Sequence, residues 1–158
     1  MTAKDLIRKS FALNDMIVHS YLDDMNDAEF KMIPVAGMNS IAWQIGHLIA
    51  SEANMLDKVA PGASPALPEG FAAKYERGST ADASEFHTKD QLFGVWAGQR
   101  AATMKALDEI EESKFDDATG LDYAPTVGEL LNLIANHPLM HAGQWVAVRR
   151  AANKKVAI

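Results

Sequence analysis

The chain contains no cysteine. That absence excludes thiolate nucleophiles, disulfide frameworks, iron–sulfur clusters, thiolate zinc sites and covalently attached haem, so any metal must be held by histidine, carboxylate or carbonyl oxygen. Positive charge is also in short supply. Against 21 Asp and Glu stand 15 Lys and Arg, a formal net charge of −6, which argues against a nonspecific grip on a phosphate backbone. Long apolar runs are missing too: near the N-terminus Lys4, Asp5, Arg8 and Lys9 interrupt every apolar stretch before it reaches the length of a signal segment or a membrane span. The expectation is a cytoplasmic protein with neither nucleic acid nor membrane as a partner. No repeat and no low-complexity stretch is present, and no window alternates with period two between turn signals, so strands are not supported. What is there is 158 residues, 48% of them hydrophobic, which reads as a single domain over residues 1–158 with a real core.

Helical periodicity organises that chain into four segments. The first, from about Ala3 to Met25, places Leu6, Leu13, Ile17 and Tyr21 on one face, with Arg8, Asp15, His19 and Asp23 opposite. A second begins at Asn39-Ser40, either of which can cap, and carries Ile41, Ile45, Leu48, Glu52, Met55, Leu56 and Val59 before Ala60-Pro61-Gly62 stops it. The capping boxes Thr88…Gln91 and Thr126…Glu129 open the third and fourth. Leu92, Trp96, Thr103, Leu107 and Ile110 line the third, and Leu130, Ile134, His137, His141, Trp145 and Val148 line the fourth. The basic end at Arg149, Arg150, Lys154 and Lys155 complements the helix dipole and reads as a solvated face.

The fold class is therefore all-α, a four-helix bundle. About 13 residues join the first pair of helices and the last pair, but about 28 separate the second from the third, far more than bundle connections need. A crossover of that length makes helices two and three parallel and predicts an up-down-down-up order. The histidines fit it. His47 lies about 12 residues back from the end of the second helix, and His137 and His141 lie about 12 residues into the fourth, so an antiparallel pair puts all three about 18 Å from a shared end.

His137 and His141, spaced i, i+4, stack two imidazoles on one helix face, the geometry by which a helix offers two ligands to one metal. His47 projects beside Trp43, Gln44 and Ser51 at the margin of its apolar arc, so the site should be a partly open pocket. Three neutral imidazoles leave a fourth position open, as in a catalytic zinc site, and the same set suits nickel, iron or cobalt. A lone pair of this spacing is more often two packed or hydrogen-bonded residues than a metal site; His47 at a matching level is what favours the metal. His19 falls on a polar face and His87 just before the third helix, and both read as surface residues.

Neighbouring motifs drop out. Pro138 stands where a zincin needs its general-base Glu. The positions three before His47 and His137 are Gln44 and Ile134, where a di-iron carboxylate bundle needs Glu. There is no nucleophile elbow and no phosphate-binding glycine loop. A haem held noncovalently between two of the histidines stays open. Pro138 itself removes one backbone hydrogen bond and reads as a tolerated kink, the alternative being that the kink re-aims the two imidazoles between which it sits. Glu52, on an apolar stripe, needs a partner, either a structural hydrogen bond or a ligand that it supports from behind. Gln99 and Thr103 either face a pocket or satisfy each other in the core, and Trp43, Trp96 and Trp145 read as core or dimer-interface residues with pocket lining second.

The run Asn39-Ser-Ile-Ala-Trp-Gln-Ile-Gly-His47-Leu with Glu52 following, together with Thr126-Val-Gly-Glu-Leu-Leu and His137-Pro-Leu-Met-His141-Ala-Gly-Gln144, resembles the DinB-like (YfiT-like) metalloprotein superfamily. The resemblance spans the chain from the first helix to the fourth. It implies a divalent metal, zinc or nickel, held by His47, His137 and His141, and frequently a homodimer. Gln144, in the last of these motifs, joins Glu52, Gln99 and Trp43 as residues expected in the pocket or behind the ligands. Characterised relatives include low-molecular-weight-thiol S-transferases and a thiol-dependent isomerase. The function expected is thus a metal-dependent thiol transferase acting on a small electrophile, with a small-molecule thiol as cosubstrate. A metal-dependent hydrolase and a non-catalytic metal- or ligand-binding bundle are the alternatives. No residue is singled out as general acid or base.

Overall fold

The computed structural model describes residues 1–156. Its elements are α1 (Ala3–Leu22), α2 (Asp27–Phe30), α3 (Ile41–Val59), α4 (Phe71–Tyr75), α5 (Lys89–Glu109) and α6 (Val127–Ala151), with single 3₁₀ turns at Ala83–Glu85 and Glu112–Lys114. The described residues form no strand, only an isolated bridge between Ala118 and Thr126, and none of their helices is long and apolar enough to cross a membrane. Each long helix starts on a side chain that satisfies its free N–H groups. Ser40 accepts from the amide of Trp43, and reciprocal boxes pair Thr88 with Gln91 and Thr126 with Glu129, where the sequence placed them. A further box at Thr2 and Asp5 opens α1.

Polar contacts fix the helix directions. Asn14 of α1 donates to the Ala135 carbonyl of α6 (2.6 Å) and Arg149 near the end of α6 grips the carbonyl of Tyr21, so α1 and α6 are parallel. Lys4 reaches the carbonyl of Asp108 (2.8 Å) while Lys89 reaches that of Asp23 (2.6 Å), so α1 and α5 are antiparallel. Early α3 meets late α6 through Gln44 and Trp145 (2.9 Å), whereas Met55, late in α3, packs in a cluster with Val127 and Leu130. Those two helices are antiparallel. The order is up-down-down-up, as the loop lengths predicted, and the 60–88 crossover carries α4, whose Phe71 and Tyr75 are buried against the bundle.

Two apolar clusters fill the two halves of the bundle, one around Ile45, Trp96 and Trp145, the other around Phe11, Leu107 and Leu131. Between them lies a polar waist of Asn14, Glu52, Gln99, Arg100 and Thr103, all buried. Arg100 lies 3.3 Å from Glu52 and 3.5 Å from Asp15, with its guanidinium carbon 4.4 Å over Trp96 and 4.8 Å over Phe11.

Three expectations need correction here. The buried stripe of α1 is Ile7, Phe11, Asn14, Val18, Tyr21 and Leu22, whereas Leu6 and Leu13 are 55% and 52% exposed. Asn14 is the reason: a polar residue in mid-stripe breaks the apparent pattern, but its bonds to α6 make its burial affordable. The same helix stops at Leu22, not Met25, since the chain turns there into α2. Arg149 is not part of a solvated face. It is 4% exposed and holds both oxygens of Asp24 (2.6 and 3.1 Å), and it keeps the Asp24 carboxyl below its ordinary pKa.

Candidate metal centre

The antiparallel pairing of α3 and α6 brings His47, His137 and His141 to one level. Their ring centroids form a near-equilateral triangle, 5.7 Å from His47 to His137, 5.8 Å from His47 to His141 and 5.3 Å between the two on α6. One ring nitrogen of each lies within 4.8 Å of the others. Among the described residues no carboxylate joins this cluster. Helix α6 runs on through the buried Pro138 between its two histidines, leaving the Ile134 carbonyl without its usual intrahelical donor.

Hydrogen bonds set which nitrogen faces the centre. A carbonyl only accepts, so the contact between His47 Nδ1 and the Tyr75 carbonyl (3.1 Å) places the proton on Nδ1 and leaves Nε2 with a free lone pair. The indole of Trp43 stacks on the same imidazole at 4.8 Å and 6°, and the Ser51 hydroxyl lies 3.4 Å from Nε2. His141 is oriented by Gln44. The Gln44 amide nitrogen donates to the Asn39 carbonyl (2.7 Å), so its oxygen must be the atom that accepts from Trp145 Nε1 (2.9 Å) and His141 Nδ1 (3.2 Å). His141 Nε2 is again left free. Partners of this kind fix the tautomer and ring orientation of metal-ligating histidines.

The electrostatics are equally suited to neutral donors. Burial, reinforced by the neighbouring imidazoles, pushes His137 and His141 down to about 4. His47 is lowered as well, again chiefly by burial, against the opposing pull of the Tyr75 carbonyl. All three rings therefore favour the neutral form, one nitrogen protonated and the other with a free lone pair, the state in which imidazole binds metal.

Two open cavities meet at His47. One, of about 510 Å³, runs past His137 between Met55, Leu133, Met140 and Tyr123; the other, of about 400 Å³, runs past His141 between Asn39, Trp43 and Ser79. The partly open pocket expected at this helix margin is present.

The remaining sequence-predicted residues separate clearly. Trp43 is at the centre, stacked on His47. Glu52 and Gln99 belong to the polar waist: Glu52 accepts from Thr103 (2.7 Å) and pairs with Arg100, and Gln99 donates to Ser64 (3.1 Å) and Thr103 (3.4 Å). Burial raises the Glu52 carboxyl against the opposing pull of Arg100 and Thr103. Gln144 is exposed and borders neither cavity. His19 is a surface residue bonded to Asp23 (2.8 Å), but His87 is not. It is half-buried, and Tyr75 accepts from its amide and donates to its Nδ1, both at 2.9 Å. Sequence reasoning placed Gln44 beside His47 without giving it the His141 ring to orient, and it had no means of finding the Tyr75 carbonyl, since a backbone acceptor carries no side-chain signature.

The model of the DinB superfamily matches residues 11–145. No curated protein matches the chain. Among solved structures, a crystal structure of "the conserved protein of locus from Enterococcus faecalis" aligns with a TM-score of 0.73 over 98% of this chain and 99% of its own, at 20% identity. At that identity the likeness is one of fold.

Proposed function

This chain belongs to the DinB superfamily, and on that premise we propose that it is a metalloenzyme which joins a low-molecular-weight thiol to a small electrophile. The observation that carries the reading is the open triad: three neutral imidazoles converge, two of them held by carbonyl acceptors that aim Nε2 at a common point, beside two cavities that meet there. This donor set fits a divalent ion such as zinc or nickel with a position left for an exogenous ligand. A bound ion supplies positive charge that lowers the pKa of a thiol at that position toward neutrality. The chain's own residues do the rest. His47, His137 and His141 would hold the ion, Tyr75 and Gln44 fix the orientation of His47 and His141, and the two cavities give the thiol and the electrophile access to the open position. Since the chain has no cysteine, the sulfur must arrive with the cosubstrate.

Elemental analysis of the purified protein and of His47→Ala tests the first half, with near-stoichiometric metal expected in the wild type and little in the variant. Thiol-dependent consumption of an electrophile such as 1-chloro-2,4-dinitrobenzene, compared between wild type and His141→Ala, tests the second. Unchanged metal content in His47→Ala removes the triad as the binding site, and equal rates in His141→Ala remove the metal from the chemistry.

A further inference from the structure

The two cavities share one residue besides His47, and it is Arg77. Its placement is built in. The amide of Ser79 donates to the carbonyl of Glu76 (3.1 Å), closing a tight turn with Arg77 and Gly78 at its corners. Gly78 has φ +83°, which a side chain would resist and glycine adopts freely. The turn follows directly on Tyr75, whose ring is buried and whose carbonyl orients His47. Arg77 therefore starts from a fixed point beside the triad.

Its guanidinium has no internal task. Arg77 is exposed and, like Arg150, makes no side-chain hydrogen bond and no ion pair among the described residues, whereas Arg8, Arg100 and Arg149 each hold a carboxylate. No Asp or Glu lines either cavity, although the chain carries 21 of them and a net charge of −6. Around Arg77 the cavity past His141 offers Asn39, Ser79 and the Gly78 backbone beside the Trp43 indole, whereas the cavity past His137 has Met55, Leu133, Met140 and the Tyr123 ring on its wall, with Ser51 and Asn54 as its polar members.

We propose that Arg77 is a specificity residue that receives an anionic group, a carboxylate, on a ligand whose reactive atom lies at the triad and whose apolar part extends past His137. A planar guanidinium takes a carboxylate through two parallel hydrogen bonds, and within a protein of net negative charge a local cation is what draws an anion to this one face. The carboxylate belongs either to the thiol or to its partner substrate. This inference rests on the metal-site reading given above.

The test uses the full chain loaded with cobalt(II), whose visible spectrum reports ligands entering its coordination. Titrations compare 3-mercaptopropionate with 3-mercaptopropionamide, which differ only in the charge of the distal group, on wild type, Arg77→Gln and Arg77→Lys. A second pair, hexanoate and hexanamide, used as competitors, asks whether the anion belongs to a molecule without sulfur. Wild type should prefer the charged member by about 10-fold, the return of one charge-assisted pair. Arg77→Gln should abolish that preference and leave the affinity for the amide and the cobalt content unchanged, with Arg77→Lys in between. An Arg77-dependent preference in the thiol pair alone assigns the carboxylate to the thiol; one seen with hexanoate assigns it to the other substrate. Cobalt uptake with no preference in wild type, or a preference that survives in Arg77→Gln, overturns the inference alone. Failure of wild type to take up cobalt overturns the metal site and this inference together.

Discussion

Replacing Gly46 by alanine should damage the triad without touching any of its side chains. A Cβ built at Gly46 would lie 2.3, 2.4 and 2.5 Å from Cδ1, Cγ and Cε1 of the Tyr75 ring. Ordinary carbon contacts begin at about 3.5 Å, so the ring must retreat by about 1 Å or more. It has little room: Tyr75 is fully buried, lies 4.7 Å from the Phe71 ring and 5.4 Å from that of Phe86, and is tied through its hydroxyl to His87. Overpacking of this kind costs about 1–3 kcal/mol, and a contact this short belongs at the upper end. Alanine returns about 1 kcal/mol as the better helix former, leaving a net loss of about 2 kcal/mol, or roughly 4–8 °C in Tm for a chain of this size. The Tyr75 carbonyl moves with its ring and loosens its hold on His47 Nδ1, so zinc affinity should fall about 10–100-fold. Thermal unfolding of metal-free protein and zinc competition with a chromophoric chelator measure the two effects. Gly94→Ala and Gly98→Ala are the controls. Nothing lies within 4 Å of a Cβ at either position on α5, and each should gain up to about 1 kcal/mol. A Gly46→Ala protein that behaves like those controls, more stable and with unchanged zinc affinity, would refute the argument.

Three further outcomes follow from the same geometry. Gln44→Ala strips the acceptor from both His141 and Trp145, and should lose about 1–3 kcal/mol for the indole N–H left buried together with zinc affinity; Gln144→Ala should change neither by calorimetry or zinc titration. Glu52→Gln leaves Arg100 buried without its closest carboxylate, a loss of about 3–5 kcal/mol in urea unfolding, and Arg100→Met in the same chain should restore much of it; zinc content should stay at the wild-type level in both. The metal-free fold should weaken with acid: His137 and His141 sit at about 4 when folded against an ordinary value of 6.5, so between those values the unfolded chain binds more protons and stability falls as pH falls, with a plateau above the window. Equal urea midpoints at about pH 7.5 and about pH 5 would contradict that linkage.

What the sequence revealed depended on how local the cause was. Helix starts at Ser40, Thr88 and Thr126 were legible because a cap and the amide it satisfies lie within one turn. The histidine triad was legible because spacing on α6 and level on α3 are both countable along the chain. Burial of a charged or polar group has a distant cause. Arg100 is buried through Glu52 and Asp15, Arg149 through Asp24 and Tyr21, and Asn14 through Ala135; nothing in the neighbouring sequence of any of the three marks it as buried. The crossover was harder still. Its Tyr75 and His87 bond to each other across a segment with no hydrophobic period, and nothing in that stretch announces that a backbone oxygen from it orients His47.

The triad draws on α3 and α6 alone, with no ligand from α1 or α5. An ion held there fastens two points about 90 residues apart along the chain and does for this cysteine-free protein what a disulfide would do. Closing a loop of that length removes about 4–5 kcal/mol worth of freedom from the unfolded chain in the loop-entropy picture. The crossover, α5 and the front of α6 lie inside the ring so formed. Helix α1 lies outside it, held by its packing and by its polar ties to α5 and α6 through Lys4, Asn14 and Tyr21, and loading with metal adds no clasp to it.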